Sequence, residues 1–187
     1  MSETKKSRAV FFDKDGTLVK DVPYNVRPEL IELAPGAGGA ARVLKAAGYK
    51  LFVVSNQAGV ARGFFAPEAL TAVRSRIEEL CGLRFDGFYF CPHDENGSVA
   101  AFAARCRCRK PQPGLLRRAA REHGVDLEKS WLVGDILDDV EAGKRAGCRA
   151  IFLEVGSETE WLAGEFREAD FTARDLERAA EIILKHD

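Results

Sequence analysis

Five short apolar runs punctuate the chain: Ala9–Phe12, Leu51–Val54, Phe88–Phe90, Trp131–Val133 and Ala150–Leu153. None alternates apolar with polar residues, the pattern of strands covered on both faces. Between them lie amphipathic stretches with helical punctuation. Pro35–Ala47 stops at Gly48, Pro67–Leu80 opens on a first-turn proline, and Gly114–His123 stops at Gly124. Asp139–Ala146 stops at Gly147, and Ala173–Lys185 follows Thr172 as its N-cap. Strand–helix alternation predicts an α/β fold, a three-layer Rossmann-like parallel sheet with helices on both faces. Without a repeat or linker, 1–187 reads as a single domain. Two connections, Lys20–Leu33 and Pro92–Pro113, are long, as functional loops often are.

Charge narrows the partners. The 187 residues carry 28 Lys plus Arg against 29 Asp plus Glu, a net charge of −1. No global positive field exists to hold nucleic acid or an anionic membrane. The apolar runs are too short to span a bilayer, and the polar start Met1–Arg8 lacks the apolar stretch of a signal peptide. The expected compartment is the cytoplasm, and the expected state is a monomer.

In such a fold, ligands bind at the carboxyl ends of the strands. The first apolar run ends in Asp13-Lys-Asp15-Gly-Thr17, the second in Ser55-Asn56-Gln57 and the fourth in Gly134-Asp135, with Asp138 and Asp139 just beyond. Any one tail would pass as a turn or cap; three on one edge suggest chemistry. In extended backbone Asp13 and Asp15 share a face. With Asp135 they make a nest of hard oxygens suited to Mg²⁺. One carboxylate can then attack phosphorus while another carries a proton. Ser55, backbone N–H groups and Lys110 are candidates to hold phosphoryl oxygens.

The chain has five cysteines, an odd number, and three of them cluster. Cys91-Pro-His93 and Cys106-Arg-Cys108 bring four soft or borderline ligands together in two close pairs, suited to structural, tetrahedral Zn²⁺ in a loop at about 91–108. Cys81 and Cys148 are left as buried thiols. The zinc loop would pin Arg109 and Lys110 toward a phosphate. Taken alone, its cations would suit a nucleic-acid-binding zinc module, but the neutral overall balance argues for no nucleic acid. Asn96-Gly-Ser98 reads as a turn.

The ordered set Asp-x-Asp-Gly-Thr, Ser-Asn, Lys-Pro and Gly-Asp-x-x-x-Asp resembles the haloacid dehalogenase superfamily over nearly the whole chain. The resemblance implies that Asp13 is the nucleophile of an aspartyl-phosphate route and Asp15 the general acid and then base. It implies that Ser55 and Lys110 bind the phosphoryl group. Asp135 would hold Mg²⁺ with the Asp13 carboxylate and the Asp15 backbone carbonyl, and Asp139 would support the metal's water shell or Lys110. Cys-x-His, Cys-x-Cys-Arg-Lys-Pro and Asn56-Gln-Ala-Gly-Val-Ala-Arg-Gly63 look like the D-glycero-D-manno-heptose 1,7-bisphosphate 7-phosphatase group, whose near relatives are histidinol-phosphate phosphatases. That group is capless, so recognition of a small phosphorylated sugar would fall to loops. Arg62 and Arg109 are candidates for the sugar or its second phosphate, Asn56 for a sugar hydroxyl, and Tyr24 and Asn25 for cover. Ile136 stands where the group commonly carries Lys, which bears on the substrate. A zinc module or a phospho-acceptor domain is the non-enzyme alternative.

Overall fold

The computed structural model describes residues 6–186; Met1–Lys5 of the polar start lie outside them. Six parallel strands form one sheet in the order β3-β2-β1-β4-β5-β6. They are β1 Ala9–Phe12, β2 Lys50–Asn56, β3 Gly87–Cys91, β4 Trp131–Gly134, β5 Arg149–Leu153 and β6 Phe171–Ala173. The helices are α1 Ala37–Ala46, α2 Ala58–Ala61, α3 Ala69–Cys81, α4 Gly114–His123, α5 Leu137–Ala146 and α6 Leu176–Lys185.

The apolar runs become strands because both of their faces are buried. Val10, Phe12, Leu51, Val53, Trp131 and Val133 face one side and pack against α1, α3 and α6. Ala9, Phe11, Phe52, Val54 and Leu132 face the other and pack against α4, with Ala142 of α5. Full burial of each large side chain is worth about 1.5–3 kcal/mol. A helix layer on each face supplies the third layer of the predicted architecture.

Two expectations shift. Phe171–Ala173 is an edge strand paired with β5, not the opening of a helix. The last helix begins after Asp175, whose side chain accepts the Arg178 N–H at 2.7 Å; Asp175 is therefore the N-cap in place of Thr172. The short helix α2 escaped the periodicity reading, because four residues span little more than one helical turn. No described helix is long and apolar enough to cross a membrane.

The strand order places the functional edge. The chain runs outward from β1 through β2 to β3, then returns to β4 on the other side of β1. The β1–β4 boundary is thus the switch point where crevices open in doubly wound sheets. Beside it, β1 is followed by residues 13–36, containing only a short 3₁₀ turn at Pro28–Leu30, and β3 by residues 92–113. Among the described residues no separate cap covers this edge.

Candidate active site

Asp13 leaves the end of β1, its N–H bonded to the Val133 carbonyl at 2.9 Å. Asp135 leaves the end of β4, and Asp139 projects from the first turn of α5. All three are buried, and one oxygen from each lies within 4.8 Å of the others. Lys110 reaches into this group from just beyond the zinc loop. Its ammonium is paired with Asp13, lies 2.6 Å from Asp139 Oδ1, and donates to the Val54 carbonyl at 3.1 Å.

The balance of charge is the main property of the site. Three buried carboxylates face one buried ammonium. Burial pushes the Asp13 carboxyl up to about 7; Lys110 opposes this, while Asp139 and Asp15 add to it. Burial, with Asp13 beside it, lifts Asp135 to about 6 against the bonds from Ser157 and Thr17. Asp139 is raised for the same first reason. Burial works against charge on Lys110, but Asp13 and Asp139 override it and hold the ammonium protonated. A hard divalent cation would neutralise the surplus negative charge, so the donor set fits Mg²⁺. Its affinity should depend on pH, because bound protons must leave first. Below about pH 6–7, calorimetry should show Mg²⁺ binding weakening by up to about tenfold per pH unit.

Two glycines make these approaches possible. Gly16 turns with φ of 80°, and a Cβ there would lie 2.0 Å from Asp135 Oδ2. At Gly134 a Cβ would lie 2.3 Å from the Asp139 Cβ. Thr17 then donates to Asp135 Oδ1 at 2.8 Å.

Asp15 departs from the same-face expectation. Strand β1 ends at Phe12, so residues 13–18 form a turn rather than extended backbone. The Asp15 carboxylate accepts from Gln57 Nε2 at 3.0 Å and pairs with the buried Lys14. The side chain completing the carboxylate group beside Asp13 and Asp135 is Asp139. Asp138 instead pairs with Arg167 at 3.1 Å, which separates the two neighbouring acids.

Gln57 also donates to the buried Ser55 Oγ at 2.7 Å, so one amide fixes both the Asp15 carboxylate and the Ser55 hydroxyl. Neither Gln57 nor Lys14 was singled out from sequence. The signal for Lys14 was its place between two aspartates at a strand end. Asn56 sits differently from its sugar-binding expectation. Its Nδ2 donates to the Lys110 carbonyl at 3.0 Å, and its Oδ1 accepts the Lys110 N–H at 2.9 Å. Both ends of the amide therefore hold the lysine's backbone. Ile136 offers no cation; its N–H reaches Asp139 Oδ2 at 3.3 Å.

Arg109 and Lys110 line a cleft of about 430 Å³ with Asp94, Pro111 and Asp138. Arg109 donates to the His93 carbonyl at 3.3 Å. Arg62 is held by Asp94 through Nε and Nη2, both at 2.8 Å, and bonds the Tyr24 hydroxyl. Tyr24 in turn packs edge-on against Phe64. The Asn96 and Gly97 amides bond back to Asp94, giving the predicted turn.

The zinc loop gathers Cys91, His93, Cys106 and Cys108. The three sulfurs lie 3.2–3.4 Å apart, and His93 Nδ1 lies 3.4 and 3.6 Å from Cys108 and Cys91. Tetrahedral bonds of about 2.0–2.3 Å to zinc require edges only slightly longer, about 3.3–3.8 Å. The hydrogen bond between Cys108 and Cys91 leads the effects that lower Cys108 to about 5, against its burial, so a thiolate is already favoured. The donor set and spacing fit Zn²⁺. Metal analysis should find about one zinc per chain, lost in Cys106→Ser/Cys108→Ser together with several degrees of melting temperature.

A parallel sheet bearing these acids and a lysine at its switch point defines a hydrolase of the haloacid dehalogenase (HAD) type. The sequence model of the HAD-hydrolase-like family matches residues 107–179. A D-glycero-D-manno-heptose-1,7-bisphosphate 7-phosphatase of Thermosynechococcus vestitus is 38% identical over 95% of this chain and 96% of its own. The β-anomer enzyme of Yersinia pestis is also 38% identical, over 76% of this chain and 78% of its own. Among solved structures, the D,D-heptose 1,7-bisphosphate phosphatase of B. bronchiseptica, complexed with magnesium and phosphate, is similar at a TM-score of 0.82. It is 31% identical over 96% of this chain and 99% of that one. The chain belongs to the family of D-glycero-D-manno-heptose 1,7-bisphosphate 7-phosphatases.

Proposed function

We propose that this protein is a Mg²⁺-dependent phosphatase that removes the 7-phosphate of D-glycero-D-manno-heptose 1,7-bisphosphate. The observation that carries the chemistry is the buried Asp13–Lys110–Asp139 array beside Asp135 at the switch point. The sugar rests on the likeness to the heptose enzymes.

Asp13 attacks phosphorus, and the bond from phosphorus to the sugar oxygen breaks. Asp15, held by Gln57, is the general acid that supplies a proton to the departing oxygen. Water then attacks the aspartyl-phosphate, Asp15 takes the proton, and phosphate leaves with Asp13 restored. Ser55 and Lys110 hold the phosphoryl oxygens throughout. Asp13, Asp135 and the Asp15 backbone carbonyl would hold Mg²⁺, which would supply positive charge to keep Asp13 ionised and to draw on the phosphoryl oxygens. Asp139 fixes the Lys110 ammonium, and Asn56 fixes its backbone.

Arg109 faces the substrate's sugar or second phosphate from the cleft, and Arg62 is tied to the cleft through its pair with Asp94. The zinc loop aligns Arg109 and Lys110: the Arg109 N–H bonds Cys106 Sγ at 3.3 Å. Full turnover in a zinc-free Cys106→Ser/Cys108→Ser protein would end that role. The protein is read as one cytosolic domain acting as a monomer.

A phosphate-release screen over both heptose bisphosphate anomers, hexose bisphosphates and histidinol phosphate tests the substrate. One heptose anomer should lead. A hundredfold advantage for another compound, about 2.7 kcal/mol in transition-state binding, would replace the assignment and leave the phosphatase chemistry intact.

A further inference from the structure

A second concavity lies outside the carboxylate cluster, between α4, α5 and the segment after β5. Its volume is about 660 Å³, and its lining includes Arg107, Arg117, Arg121, Lys144, Arg145 and Phe166, with no acidic residue. The whole chain is nearly neutral, so five cations in one cleft are a local concentration of charge. Lys144 and Arg145 have carboxylate partners in Asp170 and Glu141, each at 2.7 Å. Among the described residues, none of the guanidinium groups of Arg107, Arg117 and Arg121 forms an ion pair.

The backbone brings these three together. Arg117 and Arg121 are four apart on α4 and share a face, an arrangement of like charges that destabilises a helix. Arg117 donates to the Arg145 carbonyl at 2.8 Å, tying α4 to the last turn of α5. Arg107 is brought to the same groove because Gly114 lets the α4 start press on it. A Cβ at Gly114 would sit 2.1 Å from the Arg107 carbonyl oxygen. Guanidinium groups without a carboxylate partner, lining one concavity, suit phosphate oxygens, which such forks grip bidentately. The volume falls within the range of small-ligand sites, roughly 300–1,000 Å³. A single cleft on a neutral chain does not offer the long track that an extended polymer needs.

From this geometry we infer that the groove is a second anion site, separate from the catalytic cluster, that binds a small molecule carrying two or more phosphate groups. Arg107 stands between two zinc ligands, and the loop continues through Lys110, so occupancy there is positioned to stiffen the segment that carries the site's lysine.

The probe is inorganic tripolyphosphate, titrated calorimetrically into the zinc-loaded protein without added magnesium. A nucleoside triphosphate and a hexose bisphosphate serve as parallel arms that distinguish organic sources of the same chemistry. Wild type and Asp13→Asn should bind tripolyphosphate alike. Arg117→Ala/Arg121→Ala should bind at least tenfold more weakly with basal aryl phosphatase activity retained. Arg121→Glu, a single exposed change, should show the same loss if the double variant melts early. Equal affinity in the arginine variants would overturn the inference, as would loss of binding in Ser55→Ala instead. Retention of single-stranded DNA without saturable tripolyphosphate binding would also overturn it, and would assign the groove to an extended polyanion.

Discussion

Asp13→Asn lowers phosphate release from an aryl phosphate by at least about 10⁴-fold, roughly 5.5 kcal/mol in the barrier, with no loss of thermal stability. The amide cannot form the acyl phosphate, so the two-step route closes. The fold is spared because the amide matches the carboxylate in size and removes one of three crowded negative charges. Lys110 keeps Asp139 as its partner at 2.6 Å. In metal-free protein the melting temperature should hold or rise. Release assays and a thermal melt on the same preparation check both halves. Retention of more than about 1% of turnover would require a different nucleophile.

Lys110→Met should damage both stability and catalysis. The ammonium is buried between Asp13 and Asp139, and breaking a buried pair by removing one partner costs about 3–5 kcal/mol. The loss should depend on pH in a definite direction. Asp13 already titrates near 7 with Lys110 present. Removing the lysine raises that value further, so the native variant binds protons that the unfolded chain releases across this range. Its stability therefore falls as pH rises, and urea melts should show a larger deficit at pH 8 than at pH 6. Turnover should fall by about 10³-fold or more, the scale of removing a transition-state donor. A uniform deficit at both pH values would mean that the lysine acts through packing alone.

Much of this site can be read from sequence wherever the chain is locally regular. Asp13 and Asp135 each directly follow a run of apolar strand residues, so the parallel-sheet rule places both at one edge. The zinc ligands are legible for another reason: two short pairs already satisfy most of the geometry of a tetrahedral site. What stays hidden depends on rotation and reach. Whether Asp138 or Asp139 points inward is set by the seating of α5 on β4. The turn after Phe12 hands the Asp15 carboxylate to Gln57 and Lys14, while leaving it close enough to act on Asp13. Asn56 resembles a substrate contact in sequence, but a loop more than fifty residues away claims its amide. The edge strand Phe171–Ala173 is too short to announce itself before a helix.

The contact between Gly134 and Asp139 limits how this scaffold can be re-engineered. Because α5 rides directly on the main chain of β4, the gap between two of the acids is cast into the backbone. A larger residue at 134 cannot be absorbed by a rotamer change; the helix would have to lift away. Widening the pocket for a bulkier cation therefore calls for rebuilding the approach of a whole secondary element, while the polar rim around Arg109 stays open to ordinary side-chain exchange.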